Sequence, residues 1–277
     1  MSLALAPEAA PLAGLYRRLV ECCEALAVRV VLPGGAGAAY PDGEQLAADP
    51  AALEAFVGAE AARIRAGHGH EPRPDVAASR ALHDYLWSVG LLMSGPWYLE
   101  RRVPRIVPRA IRADLAGGAF ELVAGAEFAC LPGDPAAGTP GARVVADEEA
   151  LRAELRAAFV AHMTPLLAAF GPLTRRRARA LWGMAGDDLV SGIWYLGRMR
   201  DEEDRSIHAA TELLPTALAP FPGGADFRRL ASRDGRRHPT RTRLGCCMYY
   251  TLDSARACLT CPRTCDAERL RRLEDEG

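Results

Sequence analysis

The 277-residue chain contains no lysine: its 34 basic residues are all arginine, set against 35 Asp and Glu for a formal net charge of -1. Such a balance excludes general nucleic-acid binding, which needs a large positive excess to neutralise phosphates. Alongside abundant Ala, Gly and Pro, the missing lysine reads as compositional bias before it reads as chemistry. No stretch reaches the ~18 consecutive apolar residues that would span a bilayer. The opening MSLALAPEAAPLAGLYRR lacks a basic region ahead of an apolar core, so a signal peptide is not expected. A Rossmann fingerprint is absent too. The GGAGAAY stretch from Gly34 has neither the glycine spacing nor the strand-turn-helix context, so the chain is not expected to bind NAD(P)H or flavin itself. These absences leave a soluble protein with a cytoplasmic address, compatible with peripheral contact at the inner membrane face.

What is present is cysteine, concentrated at the end of the chain. Of eight cysteines, Cys246, Cys247, Cys258, Cys261 and Cys265 share the stretch RTRLGCCMYYTLDSARACLTCPRTC. Clustered thiols in an intracellular chain point to metal or redox chemistry more often than to disulfides. Thiolates are soft ligands that select zinc, copper(I) or iron-sulfur iron. A structural zinc site usually takes two Cys-x2-4-Cys knuckles, and here only Cys258 and Cys261 form one. Cys246 and Cys247 are adjacent, so their side chains diverge in an extended chain, which suits a larger two-iron cluster better than one ion.

The pattern Cys-Cys-x10-Cys-x2-Cys resembles the C-terminal 2Fe-2S domain of siderophore-iron reductases of the FhuF type. Met248, Tyr249 and Tyr250 after the adjacent pair, the Arg-rich lead-in with Arg241 and Arg243, and Pro262 after the last cysteine all carry the resemblance. It implies Cys246, Cys247, Cys258 and Cys261 as ligands of a 2Fe-2S cluster. It implies a ferric-siderophore reductase, with a hydroxamate-type ferric siderophore as substrate and a separate electron donor such as a ferredoxin or flavin reductase. Cys265 is extra to the signature, either a spare thiol or a replacement ligand. Two other classes stay open: a non-enzymatic iron-sulfur sensor of iron or oxidants, and a binding protein with a structural zinc site.

Ahead of the cysteines, the pattern predicts an α+β fold that is predominantly helical. A body over 1–220 would hold a small antiparallel sheet at about 103–146, followed by a cluster module over 221–277. Helical periodicity runs over about 9–28 through Leu12, Leu15, Tyr16, Leu19 and Leu26. A short strand follows at 27–32, closed by Pro33, Gly34 and Gly35. Asp49 with Pro50 opens a helix ending near Gly67, and Asp75 is expected to cap the next, which should break at Gly95 and Pro96. Asp147 opens a long helix expected to end at Gly171 and Pro172, and Thr174 is expected to cap the one after. A further helix covers about 201–214.

Cys22, Cys23 and Cys130 read as core thiols. His68 and His70 read as an exposed connector rather than a metal pair, and His83 and Asp84 remain unassigned. The adjacent Asp187 and Asp188 suit a carboxylate metal site poorly, because neighbouring helical side chains point apart. Trp182, Trp194 and Tyr195 read as core or, more sharply, as the wall of a siderophore pocket. The arginines from Arg228 to Arg243 read either as a solvated loop or as a positive rim steering an acidic donor or anionic chelate. The charged stretch from Asp266 onward is expected to pack back over the cluster loop.

Overall fold

Long helices laid around one central helix define the body, described by a computed structural model for residues 11–31, 40–253 and 257–276. The readings placed on the first ten residues and on Pro33, Gly34 and Gly35 lie outside the described residues. The body comprises α1 (Ala13–Cys22), α2 (Gly43–Ala48), α3 (Pro50–His68), α4 (Pro74–Glu100), α5 (Glu148–Thr174), α6 (Ala178–Met199) and α7 (Glu203–Leu213). α4 sits at the centre, packed on α3, α5 and α6. One continuous core runs from Leu12 through Leu86, Met93, Phe159, Met184 and Ile193 to Ala225. Gly90 faces the Leu189 backbone and Gly192 faces Leu91, which lets α4 and α6 approach closely.

Capping chemistry explains several boundaries. Asp49 accepts from the Ala51 N–H with Pro50 at the first helical position, and Gly69 ends α3 in the left-handed region. Asp147 likewise accepts from Ala150 N at 2.8 Å. Asp75 is not a cap: the helix starts one residue earlier at Pro74, and Asp75 lies in its first turn, 2.6 Å from Arg73 Nη2. Thr174 belongs to the end of α5, where its hydroxyl donates to Phe170 O at 2.9 Å, and Arg177 precedes α6.

The expected breaks at Gly95–Pro96 and Gly171–Pro172 do not occur, because α4 runs on to Glu100 and α5 to Thr174. A proline inside a helix costs about 3 kcal/mol. Beyond Pro96, Trp97 and Tyr98 are fully buried, and each such side chain contributes about 2–3 kcal/mol, so burial outweighs the lost hydrogen bond. By length and composition α5 could cross a membrane; its Leu151, Leu155, Phe159, Met163, Leu166 and Phe170 are instead buried in the protein core.

The strands form two mixed sheets in place of the single antiparallel one expected. In the first, β4 (Ala119–Val123) lies between β1 (Val28–Val31), parallel to it, and β3 (Ile111–Asp114), antiparallel. In the second, β5 (Phe128–Cys130) pairs antiparallel with β2 (Arg102–Pro104) and parallel with β6 (Ala142–Val144). Alternation of residue type marks a strand but not the direction of its neighbour. The parallel β1–β4 pair exists because α2 to α4 carry the chain away and back. After the body come the β7–β8 hairpin (Arg228–Ala231, Arg237–Thr240), the cysteine segment and α8 (Asp266–Glu276).

A buried polar link joins α4, α5 and the segment before β3. Tyr85 Oη donates to His162 Nε2 at 2.9 Å, and His162 Nδ1 donates to Ile106 O at 2.8 Å, which requires a neutral ring. Burial lowers the His162 pKa from 6.5 to about 4. The unfolded chain therefore takes up a proton between these values while the folded chain does not. Stability is full above about pH 6.5 and declines as pH falls towards 4, by about 3 kcal/mol in all. Denaturant melts of wild type and His162→Gln across that window should show a shallower pH slope in the variant; an equal slope would remove His162 as its source.

Candidate metal centre

The cysteine segment is held against the body by two buried ion pairs. Asp187 and Asp188 lie on α6 with exposures of 1% and 0%. Arg241 and Arg243 leave β8 two residues apart, a spacing that in extended chain presents both side chains to one face. Arg241 Nη2 donates to Asp187 Oδ1 at 2.6 Å and its Nε to Ala225 O at 2.9 Å. Arg243 pairs with Asp188, which also receives His83 Nδ1 from α4 at 2.9 Å. Although burial alone would push the Asp188 carboxyl up, Arg243 and then His83 hold it below the ordinary aspartate value. The second Asp187 oxygen accepts from Gly245 N at 2.6 Å, one residue before the cysteine pair.

The Arg rim read from the sequence is therefore divided. Arg241 and Arg243 are interior, Arg228 and Arg229 pair with Asp266 and Asp204, and Arg233, Arg236 and Arg237 are exposed. Asp187 and Asp188 serve as anchors for arginine.

Gly245 allows this docking. A Cβ there would meet the Met184 side chain and lie 2.8 Å from both the Cα and N of Met184, so the clash with helix backbone remains even if the side chain moves. After the pair, Met248 takes a left-handed conformation (φ 65°), at a cost of about 1 kcal/mol. This turn sends the Tyr249–Thr251 turn against α4. Met248 N donates to Cys246 Sγ at 3.4 Å.

The second cysteine segment is shaped by arginines of α8. Arg269, 1% exposed, donates to the carbonyls of Leu259 (2.7 Å), Cys261 (2.9 Å) and Thr264 (3.1 Å). Arg272 adds Ala257 O at 2.8 Å. Charge-assisted bonds of this kind contribute about 1.5–3 kcal/mol each. α8 thus packs back over the loop as its sequence suggests. Arg243 N to Thr260 O at 3.0 Å joins the two cysteine segments, and Cys261 N to Cys258 O at 2.9 Å closes the knuckle.

The four signature thiols interact with one another. Cys258 donates to Cys247, which draws the Cys247 thiol well down and pushes Cys258 up; His83 and Arg80 also favour a Cys247 thiolate. Cys246 feels Cys247 and Cys261, and Cys258 feels Cys261. Among the described residues no three His, Cys, Asp or Glu side chains are arranged as a group that could hold a metal ion. Among the described residues the buried Arg243 Nε makes no hydrogen bond and lies 3.9 Å from Asp187 Oδ2, and beyond its two aspartates Arg243 is within electrostatic reach of Cys247 and Cys258. Soft donors with Arg80, Arg176, Arg243 and His83 in electrostatic reach of one or another of them suit an anionic, thiolate-held cluster.

Residues 243–263 match the family model described as the FhuF 2Fe-2S C-terminal domain. The chain carries a FhuF 2Fe-2S C-terminal domain. The match bears out the resemblance carried by the cysteine spacing, and it gives the cofactor as a 2Fe-2S cluster. No curated protein matches the chain.

Outside the FhuF domain, Cys23 and Cys130 are buried core thiols and Cys22 is half-buried, its Sγ 3.4 Å from Leu19 O. Within the C-terminal segment Cys265 is exposed at the start of α8. His70 is exposed, and His68 packs edge-on against Tyr249 with ring centroids 5.9 Å apart. Trp182 packs on Phe221, whereas Trp194 and Tyr195 line a cavity beside the cluster segment. Sequence reasoning passed over Arg80 and left His83 unassigned. Arg80 stacks on Tyr249 at 5.3 Å and hydrogen-bonds Cys247. The available signal was the complement between an Asp-Asp pair in an apolar helix and an Arg-x-Arg pair just before the cysteines.

Asp187→Ala leaves Arg241 charged and unpaired in the interior, so the folded state should lose about 3–5 kcal/mol, read by denaturant melts. Gly245→Ala should lower the iron retained per chain after desalting while the helical circular dichroism stays near wild type. Full iron retention in Gly245→Ala would show that the close contact with Met184 does not matter.

Proposed function

We propose that the protein is a cytoplasmic ferric-siderophore reductase, which delivers one electron to siderophore-bound iron(III) and releases iron(II). The observation that carries this reading is the FhuF 2Fe-2S domain joined by a buried ion-pair network to a helical body with a cavity at the junction. Hydroxamate and catecholate oxygens hold iron(III) tightly and iron(II) far more weakly, so one electron suffices for release. When bound, the cluster supplies a one-electron carrier, and all-thiolate ligation places such carriers towards the negative end of the range, roughly -400 mV in plant-type ferredoxins.

We assign Cys246, Cys247, Cys258 and Cys261 as the ligands. The match to the 2Fe-2S domain supports a two-iron cluster over a single zinc ion. Arg80, Arg243 and His83 then stabilise the thiolates and raise the potential of the centre. Hydrogen bonds from Met248 N and Tyr249 N to the sulfurs act in the same direction.

Electrons come from a separate donor of ferredoxin or flavin-reductase type. Arg176 lies within electrostatic reach of Cys246, and the neighbouring Arg175, Arg177 and Arg179 are exposed. This basic face suits an acidic donor. Charge reversal of Arg175, Arg177 and Arg179 together should slow cluster reduction by an acidic plant-type ferredoxin about tenfold at low salt and flatten its salt dependence. An unchanged salt slope would place the donor elsewhere.

Anaerobic purification with iron and sulfide counted per chain, then EPR after dithionite, tests the centre. A brown protein with about two irons and two sulfides and an S = 1/2 signal is expected. Cys258→Ser should abolish or destabilise the chromophore, while Cys22→Ser with Cys23→Ser, and Cys265→Ser, should keep it. Stoichiometric zinc with no chromophore after anaerobic reconstitution would sink the reductase reading.

A further inference from the structure

The loop that carries Cys258 and Cys261 closes around a single guanidinium. Arg269 of α8, fully buried, donates from Nε to Leu259 O (2.7 Å) and from Nη2 to Cys261 O (2.9 Å) and Thr264 O (3.1 Å). Carbonyl dipoles converging on one buried point repel one another unless a multi-donor cation stands between them, and a guanidinium offers five N–H donors in a rigid fork. Arg272 holds Ala257 O at the start of the same loop. Cys261 N to Cys258 O (2.9 Å) and Thr264 N to Cys261 O (3.1 Å) fix its two turns. Arg271, between the two arginines on the helix, faces outward and pairs with Glu268 and Asp275. Arg269 is therefore built into the cysteine loop, and its exposed neighbour is not.

Resting on the assignment of Cys258 and Cys261 as ligands, we propose that Arg269 is a positioning residue for this ligand pair: it holds the loop in its ligating shape and sets a buried positive charge beside Cys261. The residue lies outside the matched stretch 243–263, so the metal centre includes a helix that the cysteine signature does not mark. The charge is only partly answered. Its carboxylate partner Asp266 is half exposed and is shared with Arg228 of the β7–β8 hairpin. Cys261, itself buried, is among the groups in electrostatic reach of the guanidinium. A cation at that place favours an anionic, thiolate-held centre, the more so when an electron is added, and so raises its potential. Arg80 acts on Cys247 and Arg243 on Cys247 and Cys258, and Arg269 supplies the corresponding charge at the far end of the knuckle. Shape and charge are separable here. Lysine carries the charge, but a single ammonium nitrogen cannot reach three carbonyls spread along the loop.

The test uses the full chain loaded with its cluster, as Arg269→Lys, Arg269→Met and, as a control on the same helix, Arg271→Met. Iron loss to excess EDTA is followed by the decay of the visible absorption, and the midpoint potential by EPR in a dye-mediated titration. Arg269→Lys and Arg269→Met should each lose iron at least about tenfold faster than wild type. Arg269→Met should also shift the redox equilibrium about tenfold towards the oxidised state, a fall of about 59 mV for a one-electron couple, whereas Arg269→Lys should keep the wild-type potential. Arg271→Met should change neither. A merely structural role would leave the potential of the retained cluster unmoved. A cluster absent from Arg269→Met after anaerobic reconstitution, with wild-type helical circular dichroism, would also support the role; if that variant does not fold, Arg269→Lys decides. Iron loss from Arg269→Lys at the wild-type rate, a wild-type potential in Arg269→Met, or equal effects in Arg271→Met would overturn it. Zinc without a chromophore in reconstituted wild type would instead sink the cluster assignment. Zinc loss to the same chelator, faster in both Arg269 variants and not in Arg271→Met, would then keep the positioning role.

Discussion

The pairing of Asp187 and Asp188 with Arg241 and Arg243 is the constraint on which the candidate centre depends. A helix cannot present two adjacent carboxylates to one ion, because their side chains point apart by about a third of a turn. Two arginines at i and i+2 of an extended segment can each take one of them. The result is a buried four-charge network, reinforced by His83 and Gly245 N, that fixes the cysteine segment to α6. Buried ion pairs seldom add much net stability against an apolar alternative. Their effect here is geometric: they determine where the chain emerges before Cys246.

The same charges create the chemical environment of the thiols. Thiolates in an apolar interior would be costly, and Arg80 from α4 and Arg243 from the cysteine segment provide compensating positive charge. Arg243 has two functions, since its guanidinium pairs with Asp188 and Asp187 while lying within electrostatic reach of Cys247 and Cys258. From the opposite side α8 uses Arg269 and Arg272 to hold loop carbonyls. A chain without lysine makes these bonds with a planar, multi-donor group that can satisfy several acceptors at once.

The cavity is lined by Arg243, Leu259 and Thr260 of the cysteine segment together with residues of α4 and α6, which gives the helical body a direct relation to that segment. α4 contributes to both, with Arg80 and His83 towards the sulfurs and Trp87 towards the cavity, one helical turn apart. This explains why so long a helix is kept intact through Gly95 and Pro96: its rear half is core, and its front half positions the site.

Several features were legible in the residues alone. The thiolate chemistry, the two-iron preference, the helical class, the caps at Asp49 and Asp147 and the return of α8 follow from local spacing and side-chain type. Local patterns failed where distant burial competed with them, as at Pro96 and Pro172, and where strand direction depended on the long excursion through α2 to α4. The arginine run was ambiguous for the same reason. Spacing identifies Arg241 and Arg243 as charged, but only the arrival of Asp187 and Asp188, more than fifty residues earlier, makes them interior. By itself the sequence named the candidate ligand atoms, because ligand chemistry belongs to side chains and short spacings. Only the tertiary structure decided which charges face those atoms and what cavity adjoins them, because both arise from contacts between residues far apart in the chain.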